Sequence, residues 1–204
     1  MDSRAVIFCG GDYVGENRLE FLKNAFTVCA DSGYDNAIKA GFSPNVLIGD
    51  FDSIKSDVNG DIEVIKYPVK KDATDTQLCV DYLIEKGIRK AYITCATGGR
   101  IDHTLANVSL LMYGIRRGIE ITLVDKEFYM FPVIGEKEIK GEKGQNFSVF
   151  SCTEEAIVSE KGFEYEIEDA MLYVDVPRGI SNKLAEKNAK ITVKKGIIIA
   201  VHYR

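Results

Sequence analysis

Asn45-Val46-Leu47-Ile48-Gly49-Asp50-Phe51-Asp52-Ser53 runs a short apolar segment straight into Asp-x-Asp. Val46, Leu47 and Ile48 suit a strand buried on both faces. Residues i and i+2 of an extended chain share a side, so this spacing aims the Asp50 and Asp52 carboxylates at one point beyond the strand's carboxyl end. Open α/β sheets bind ligands at that end. Mg²⁺ suits such a place, since it takes one or two carboxylates and completes its octahedron with water and phosphate oxygens. A polar turn following a strand accounts for the same residues, because Asp and Ser are turn formers.

Outward from this segment, residues 5–9, 27–30, 63–67, 91–95 and 121–124 repeat the short, mostly apolar or β-branched pattern, with helix-like stretches in several of the gaps. Strands alternating with helices imply βαβ units and a parallel sheet. Within 103–117, Val108, Leu111, Met112 and Ile115 fall at i, i+3, i+4 and i+7, one face of an amphipathic helix that Gly118 ends. After Asp125 the helical period is lost. Runs at 128–134, 147–150 and 156–159 follow one another, separated by EKEIKGEKGQN, EKGFE and VKKG, which read as the turns of an all-β meander or sandwich. The fold class is therefore α/β: a parallel-sheet domain over 1–125, then an all-β domain over 126–204, with no long linker, low-complexity tract or repeat.

The 204 residues suffice for a core without disulfides or a structural metal, since a chain of this size buries roughly 70% of its unfolded surface. Hydrophobic residues at 46% and charged residues at 28% exclude wholesale disorder. A formal net charge of −5 argues against an extended grip on nucleic acid. An anionic substrate would instead need divalent cations or local groups such as Lys70, Lys71 and Arg100. Cys9, Cys29, Cys79, Cys95 and Cys152 form no CxxC pair and read as reduced thiols, and with His103 and His202 the only histidines a Cys/His zinc site is not expected. The first apolar run is too short for a signal peptide or membrane span, so the expectation is a cytoplasmic protein with no membrane partner.

Two further constellations follow predicted strands. Lys71-Asp72-Ala73-Thr74-Asp75-Thr76-Gln77 opens a helix; Thr74 and Gln77 have capping-box spacing, while Asp72 and Asp75 add carboxylates where the helix dipole also favours phosphate. Thr97-Gly98-Gly99-Arg100-Ile101-Asp102-His103-Thr104 joins a strand to the amphipathic helix; paired glycines let backbone N–H groups approach an anion, and Arg100 can fork onto phosphate. Taken singly, Asp102 could be an N-cap and His103 a hydrogen-bonded helix residue. Neither GxxxxGK[ST] nor GxGxxG occurs, so a P-loop or ordinary dinucleotide site is excluded. The combination points to a metal and polyphosphate site along one sheet edge.

GDFDS at 49–53, KDATD at 71–75 and TGGRIDHT at 97–104 resemble the three signature segments of the thiamine pyrophosphokinase family, in its order and approximate spacing. Ala30-Asp31-Ser32-Gly33 is similar to its Ala-Asp-x-Gly turn, and Arg178-Gly179-Ile180-Ser181-Asn182 resembles its Gly-x-Ser-Asn segment, so the likeness runs along nearly the whole chain. The resemblance implies a Rossmann-like catalytic domain for ATP and Mg²⁺ over 1–125 and a β-sandwich for thiamine binding and dimerisation over 126–204. It further implies a homodimer with composite active sites, passing the diphosphoryl group of ATP to the thiamine hydroxyl to give thiamine diphosphate and AMP. Asp50, Asp52, Asp72 and Asp75 would hold Mg²⁺ and, with Arg100, carry catalysis. Asp31, Lys71, Thr97, Gly98, Gly99, Arg100, Asp102 and His103 would hold ATP, and Thr74, Gln77, Ser181 and Asn182 thiamine. The chain departs from animal members in having no Trp to cover thiamine; an aliphatic residue within 197–199 is the expected substitute. Two other readings compete. A strand followed by Asp-Phe-Asp also resembles an Asp-nucleophile phosphatase of the haloacid dehalogenase type, although that family begins its fold with the motif and two strands precede it here. The third reading is a metal-nucleotide sensing module without catalysis.

Overall fold

The computed structural model describes residues 4–52, 54–58, 60–68 and 72–204. The chain divides into two compact units, one ending at Lys126 and the other starting at Glu127. Among the described residues no helix is long and apolar enough to cross a membrane.

The first unit is built on strands β1 (Arg4–Phe8), β2 (Phe26–Ala30), β3 (Val46–Gly49), β4 (Glu63–Lys66), β5 (Lys90–Thr94) and β6 (Glu120–Val124). They lie in the order β6-β5-β1-β2-β3-β4, every pairing parallel. Parallel strands with both faces covered need continuous apolar runs, and Ala5, Val6, Ile7 and Phe8 are all fully buried. β4, at the edge, is mostly exposed. Between strands run α1 (Glu16–Leu19), a 3-10 turn (Glu20–Leu22), α2 (Gly33–Lys39), α3 (Asp75–Glu85) and α4 (Ile101–Arg117). Thr74 caps α3 as its spacing predicts, its Oγ1 accepting from the Gln77 N–H at 3.2 Å. Gly118 ends α4 at φ 74. Gly114 lets this helix lie close on β6, because a Cβ there would come within 2.7 Å of the Ile119 carbonyl oxygen. The chain leaves β1 toward β2 on one side and later returns to β5 on the other. That reversal opens a crevice beyond the carboxyl ends of β1 and β5.

The second unit contains β7 (Phe128–Lys140), β8 (Asn146–Ser151), β9 (Glu155–Lys161), β10 (Ile167–Tyr173), β11 (Asn182–Lys183) and β12 (Asn188–Tyr203), all antiparallel. β12 pairs with β7 from Asn188↔Lys140 to Tyr203↔Phe128. Its other edge pairs first with β9, through Lys190 to Lys195, and then with β8, through Ile198 to His202. Phe147, Val149, Val158, Ile191 and Ile198 are fully buried between these strands. Two segments read as turns belong to strands instead. EKEIK forms the second half of β7, where alternation buries Ile139 and cross-strand charge supports the outer face, Lys190 Nζ lying 2.8 Å from Glu136 Oε1. VKKG is the register shift at which β12 passes from one partner to the next, with Gly196 at φ 80.

Candidate active site

A cleft of about 530 Å³ lies at the carboxyl ends of β1, β2, β3 and β5, reaching the first turns of α3 and α4. Its central wall is the pair of turns at the topological reversal. Gly11 N donates to the Cys95 carbonyl and Asp12 N to the Thr97 carbonyl, each at 2.8 Å. Two buried or half-buried asparagines brace this wall: Asn36 Nδ2 donates to the carbonyls of Cys9 (2.9 Å) and Gly11 (3.0 Å), and Asn107 Nδ2 to that of Ala96 (2.8 Å). Asp31, Phe51 and Cys95 take left-handed backbone angles of φ 47, 72 and 52 where β2, β3 and β5 end. Such angles in non-glycine residues hold only where neighbours fix them, and they concentrate at functional sites.

Of the residues singled out in the sequence, the cleft is lined by Asp31, Asp50, Thr74, Asp75, Gly98, Gly99, Arg100 and His103. Asp52, Asp72, Gln77, Thr97 and Asp102 are outside its lining. Lys71 lies outside the described residues, as do Ser53 and Lys70. The expectation that Asp50 and Asp52 share a side fails for a local reason. β3 ends at Gly49 and Phe51 turns to φ 72, which breaks the alternation, while the Asp52 N–H folds back to Asp50 Oδ1 at 3.2 Å. The Phe51 N–H is held in turn by Asp31 Oδ1 at 3.2 Å. Asp52 and Asp72 are exposed, and among the described residues no group of three or more His, Cys, Asp or Glu side chains is placed to hold a metal ion.

Arg100 forks onto Asp102, Nε donating to Oδ1 at 3.1 Å and a terminal nitrogen to Oδ2, and this pairing holds the Asp102 carboxyl below its usual range. Asp102 also accepts from the His103 N–H at 3.0 Å. The guanidinium is exposed at the cleft mouth. Thr97, half-buried and outside the cleft lining, donates its hydroxyl to Asp125. Burial pushes the cleft thiol of Cys9 up to about 12 and likewise raises Cys95, which disfavours their thiolate forms. The described lining residues include two basic side chains, Arg100 and His103, and four carboxylates, Asp12, Asp31, Asp50 and Asp75. That much negative charge repels a bare polyanion and attracts a cationic substrate.

The Arg178–Asn182 segment belongs to the second unit. Asn182 is buried with both ends of its amide committed: Nδ2 donates to Glu160 Oε2 (2.8 Å) and the Tyr165 carbonyl (2.9 Å), and Oδ1 accepts from the N–H groups of Tyr165 (3.1 Å) and Lys183 (2.9 Å). Ser181 is exposed. Of the aliphatic residues expected to replace Trp, Ile198 and Ile199 are buried and Ile197 is half-buried.

Sequence reasoning missed Asp12, Asn36, Thr76 and Asn107. Asp12 packs against Gly98, where a Cβ would fall 2.1 Å from its Cγ, and Cys9 Sγ contacts the Thr76 hydroxyl at 3.4 Å. The available signal was Gly10-Gly11-Asp12 directly after an apolar strand.

An acid-rich cleft with a Gly-Gly-Arg turn, at the reversal point of an open parallel sheet, places the chain among the α/β proteins that bind ligands at a topological switch point. Comparison with known proteins narrows that class. The family model described as thiamin pyrophosphokinase, catalytic domain, matches residues 19–123, and that described as thiamin pyrophosphokinase, vitamin B1 binding domain, matches residues 136–198. The thiamine pyrophosphokinase of Bacillus subtilis (strain 168) is 33% identical over 180 residues, covering 84% of each chain. A crystal structure of Bacillus subtilis thiamine pyrophosphokinase superposes with a TM-score of 0.85 at 27% identity, over 98% of both chains. That of Geobacillus thermodenitrificans thiamin pyrophosphokinase gives 0.84 at 25%, over 98% of this chain and 97% of that one. The chain belongs to the thiamine pyrophosphokinase family.

Proposed function

We propose that the protein transfers the diphosphoryl group of ATP to the hydroxyl of thiamine, giving thiamine diphosphate and AMP. The observation that carries this is the cleft itself: the turn bearing Gly98, Gly99 and Arg100 meets Asp31, Asp50 and Asp75 at the sheet's reversal point, in a chain of this family. Phosphoryl transfer asks mainly for positioning and charge neutralisation. Gly98 and Gly99 bring backbone close to the phosphates, Arg100 swings from Asp102 to fork onto them, and His103 lies beside them. The all-oxygen donors Asp50 and Asp75 fit a hard cation held by two carboxylates together with phosphate oxygens and water, and do not amount to an all-protein cage. Mg²⁺ bound there would neutralise charge on the transferred group. Asp52 and Asp72, both exposed and outside the cleft lining, would contribute negative charge that favours that ion. Thr74 and Gln77, at the start of α3, and Ser181 in the second unit meet the cationic thiamine, which the carboxylates favour.

In this reading the first unit is a Rossmann-like catalytic domain and the second a β-sandwich for thiamine binding and dimerisation. A homodimer with composite sites completes it, tested by mixing an inactive Asp75→Asn chain with an inactive Ser181→Ala chain: heterodimers should recover activity that neither parent has. An ATP-consuming enzyme with five free cysteines fits the reducing cytoplasm. The phosphatase reading is disfavoured because β1 and β2 precede the Asp50 strand. Incubation with ATP, Mg²⁺ and thiamine is the direct test. Thiamine diphosphate and AMP are expected; phosphate release without thiamine would refute the assignment.

A further inference from the structure

Glu160 is a carboxylic acid where a hydrocarbon would pack more cheaply. The alternation of β9 turns it inward with Ala156 and Val158, and it is 4% exposed. Its register neighbours are Ile167 of β10 and Ile191 of β12. Oε2 accepts from Asn182 Nδ2, whereas Oε1 has no hydrogen-bond partner among the described residues. A buried polar atom in that condition is costly, so its retention asks for a reason.

The reason lies in what Asn182 does. The N–H groups of Tyr165 and Lys183 both point at Asn182 Oδ1, which forces the NH₂ end toward the Tyr165 carbonyl and Glu160. Position 160 must therefore supply an acceptor. Asn182 fastens the chain immediately after Ser181, and Ser181 itself sits at φ 62 with its N–H donating to Ser148 Oγ at 3.1 Å. A left-handed serine needs such fixing on both sides. Burial pushes the Glu160 carboxyl up to about 7, opposed by the Asn182 hydrogen bond. Charged residues on and beside the strands that pack against it, Lys161, Glu166, Lys183 and Lys190, are exposed.

We propose that Glu160 is a positioning residue: by accepting from Asn182 it holds the 178–183 turn in the shape that presents Ser181 to thiamine. This rests on the thiamine-binding part of the proposed function. Two substitutions separate the roles of position 160. Glu160→Gln keeps an acceptor oxygen and cannot ionise, whereas Glu160→Leu keeps bulk and removes the acceptor. With the full-length protein at pH 7, Glu160→Leu should raise the KM for thiamine about tenfold and leave the KM for ATP within about twofold, while Glu160→Gln stays near wild type. Deuterium exchange of amides 178–184 should accelerate in the leucine chain alone. Melting temperature separates positioning from simple stabilisation: at pH 8 the leucine chain has lost a buried acid and should melt no lower than wild type although it binds thiamine less well. A residue serving only the fold would lose both together. Normal thiamine KM with unchanged exchange in the leucine chain overturns the proposal, as does equal damage in both variants. If the leucine chain does not fold, Glu160→Met replaces it under the same criteria. A wild-type protein that makes no thiamine diphosphate overturns the activity itself, an outcome distinguishable because no substitution is involved and exchange does not depend on turnover.

Discussion

Gly11→Ala should open the wall of the cleft. A Cβ at Gly11 would stand 2.3 Å from the Thr97 carbonyl oxygen and 2.5 Å from that of Cys95, both main-chain atoms that cannot rotate aside. These carbonyls are the acceptors of the Asp12 and Gly11 N–H groups, so relieving the clash by roughly an ångström weakens both bonds that join the β1 and β5 turns. Two hydrogen bonds at about 1 kcal/mol each and overpacking at about 1–3 kcal/mol give a loss of roughly 3–5 kcal/mol before relaxation, and about 3 after it. Urea unfolding would measure the stability term. Calorimetry with a non-hydrolysable ATP analogue should show affinity reduced at least about tenfold, since the Gly98-Gly99 turn moves with Thr97. If stability stays within about 0.5 kcal/mol and affinity within twofold, the paired turns are not what shapes the site.

Asp75→Asn and Asp50→Asn are each expected to lower kcat about a hundredfold with the circular dichroism spectrum preserved, and Asp52→Asn to cost less because it lies outside the cleft lining; the reverse ranking would refute the proposed assignment of Asp50 and Asp75 as the cation's ligands. Arg100→Ala should reduce kcat/KM for ATP while thiamine binding, measured by calorimetry, holds, because a guanidinium has no reason to contact a cationic thiazolium. Glu160 makes stability depend on pH with a definite sign. The unfolded chain releases this proton near 4.5 and the folded chain keeps it to about 7, so stability falls as pH rises through that window and levels off above it, by about 3 kcal/mol in all. Urea midpoints for wild type and Glu160→Gln should therefore diverge between pH 5 and pH 8; parallel curves would place the carboxyl in a wetter setting than its burial implies.

The strands of the first unit were legible because parallel strands carry their apolar runs openly: 5–9, 91–95 and 121–124 coincide with β1, β5 and β6 to within a residue. The signature turns were legible because glycine and aspartate clusters follow those runs. Asp12 was not, since its meaning depends on the Phe8↔Thr94 register that sets the β1 turn against a turn far along the chain. Asn36 and Asn107 were hidden for another reason: each acts on carbonyls across a helix–loop boundary and leaves no local spacing pattern. The Asp50 and Asp52 pair misled because period-two reasoning holds only while the chain stays extended, and Phe51 ends that. In the second unit, EKEIK resembles a turn because its charges, most of them on the exposed face of β7, mask the alternation that buries Ile139.

The double pairing of β12 has a consequence in time. During synthesis β7 is complete at Lys140 but does not meet its partner in full until Tyr203, and β8 and β9 wait for the same strand. At translation speeds of about 5–20 residues per second, that leaves strand edges open for roughly 3–13 s. Throughout that interval the open edges of β7, β8 and β9 can pair with another nascent chain. Substitutions that weaken β12 should accordingly be felt first as poor recovery of folded protein, with the molecules that do fold retaining normal turnover.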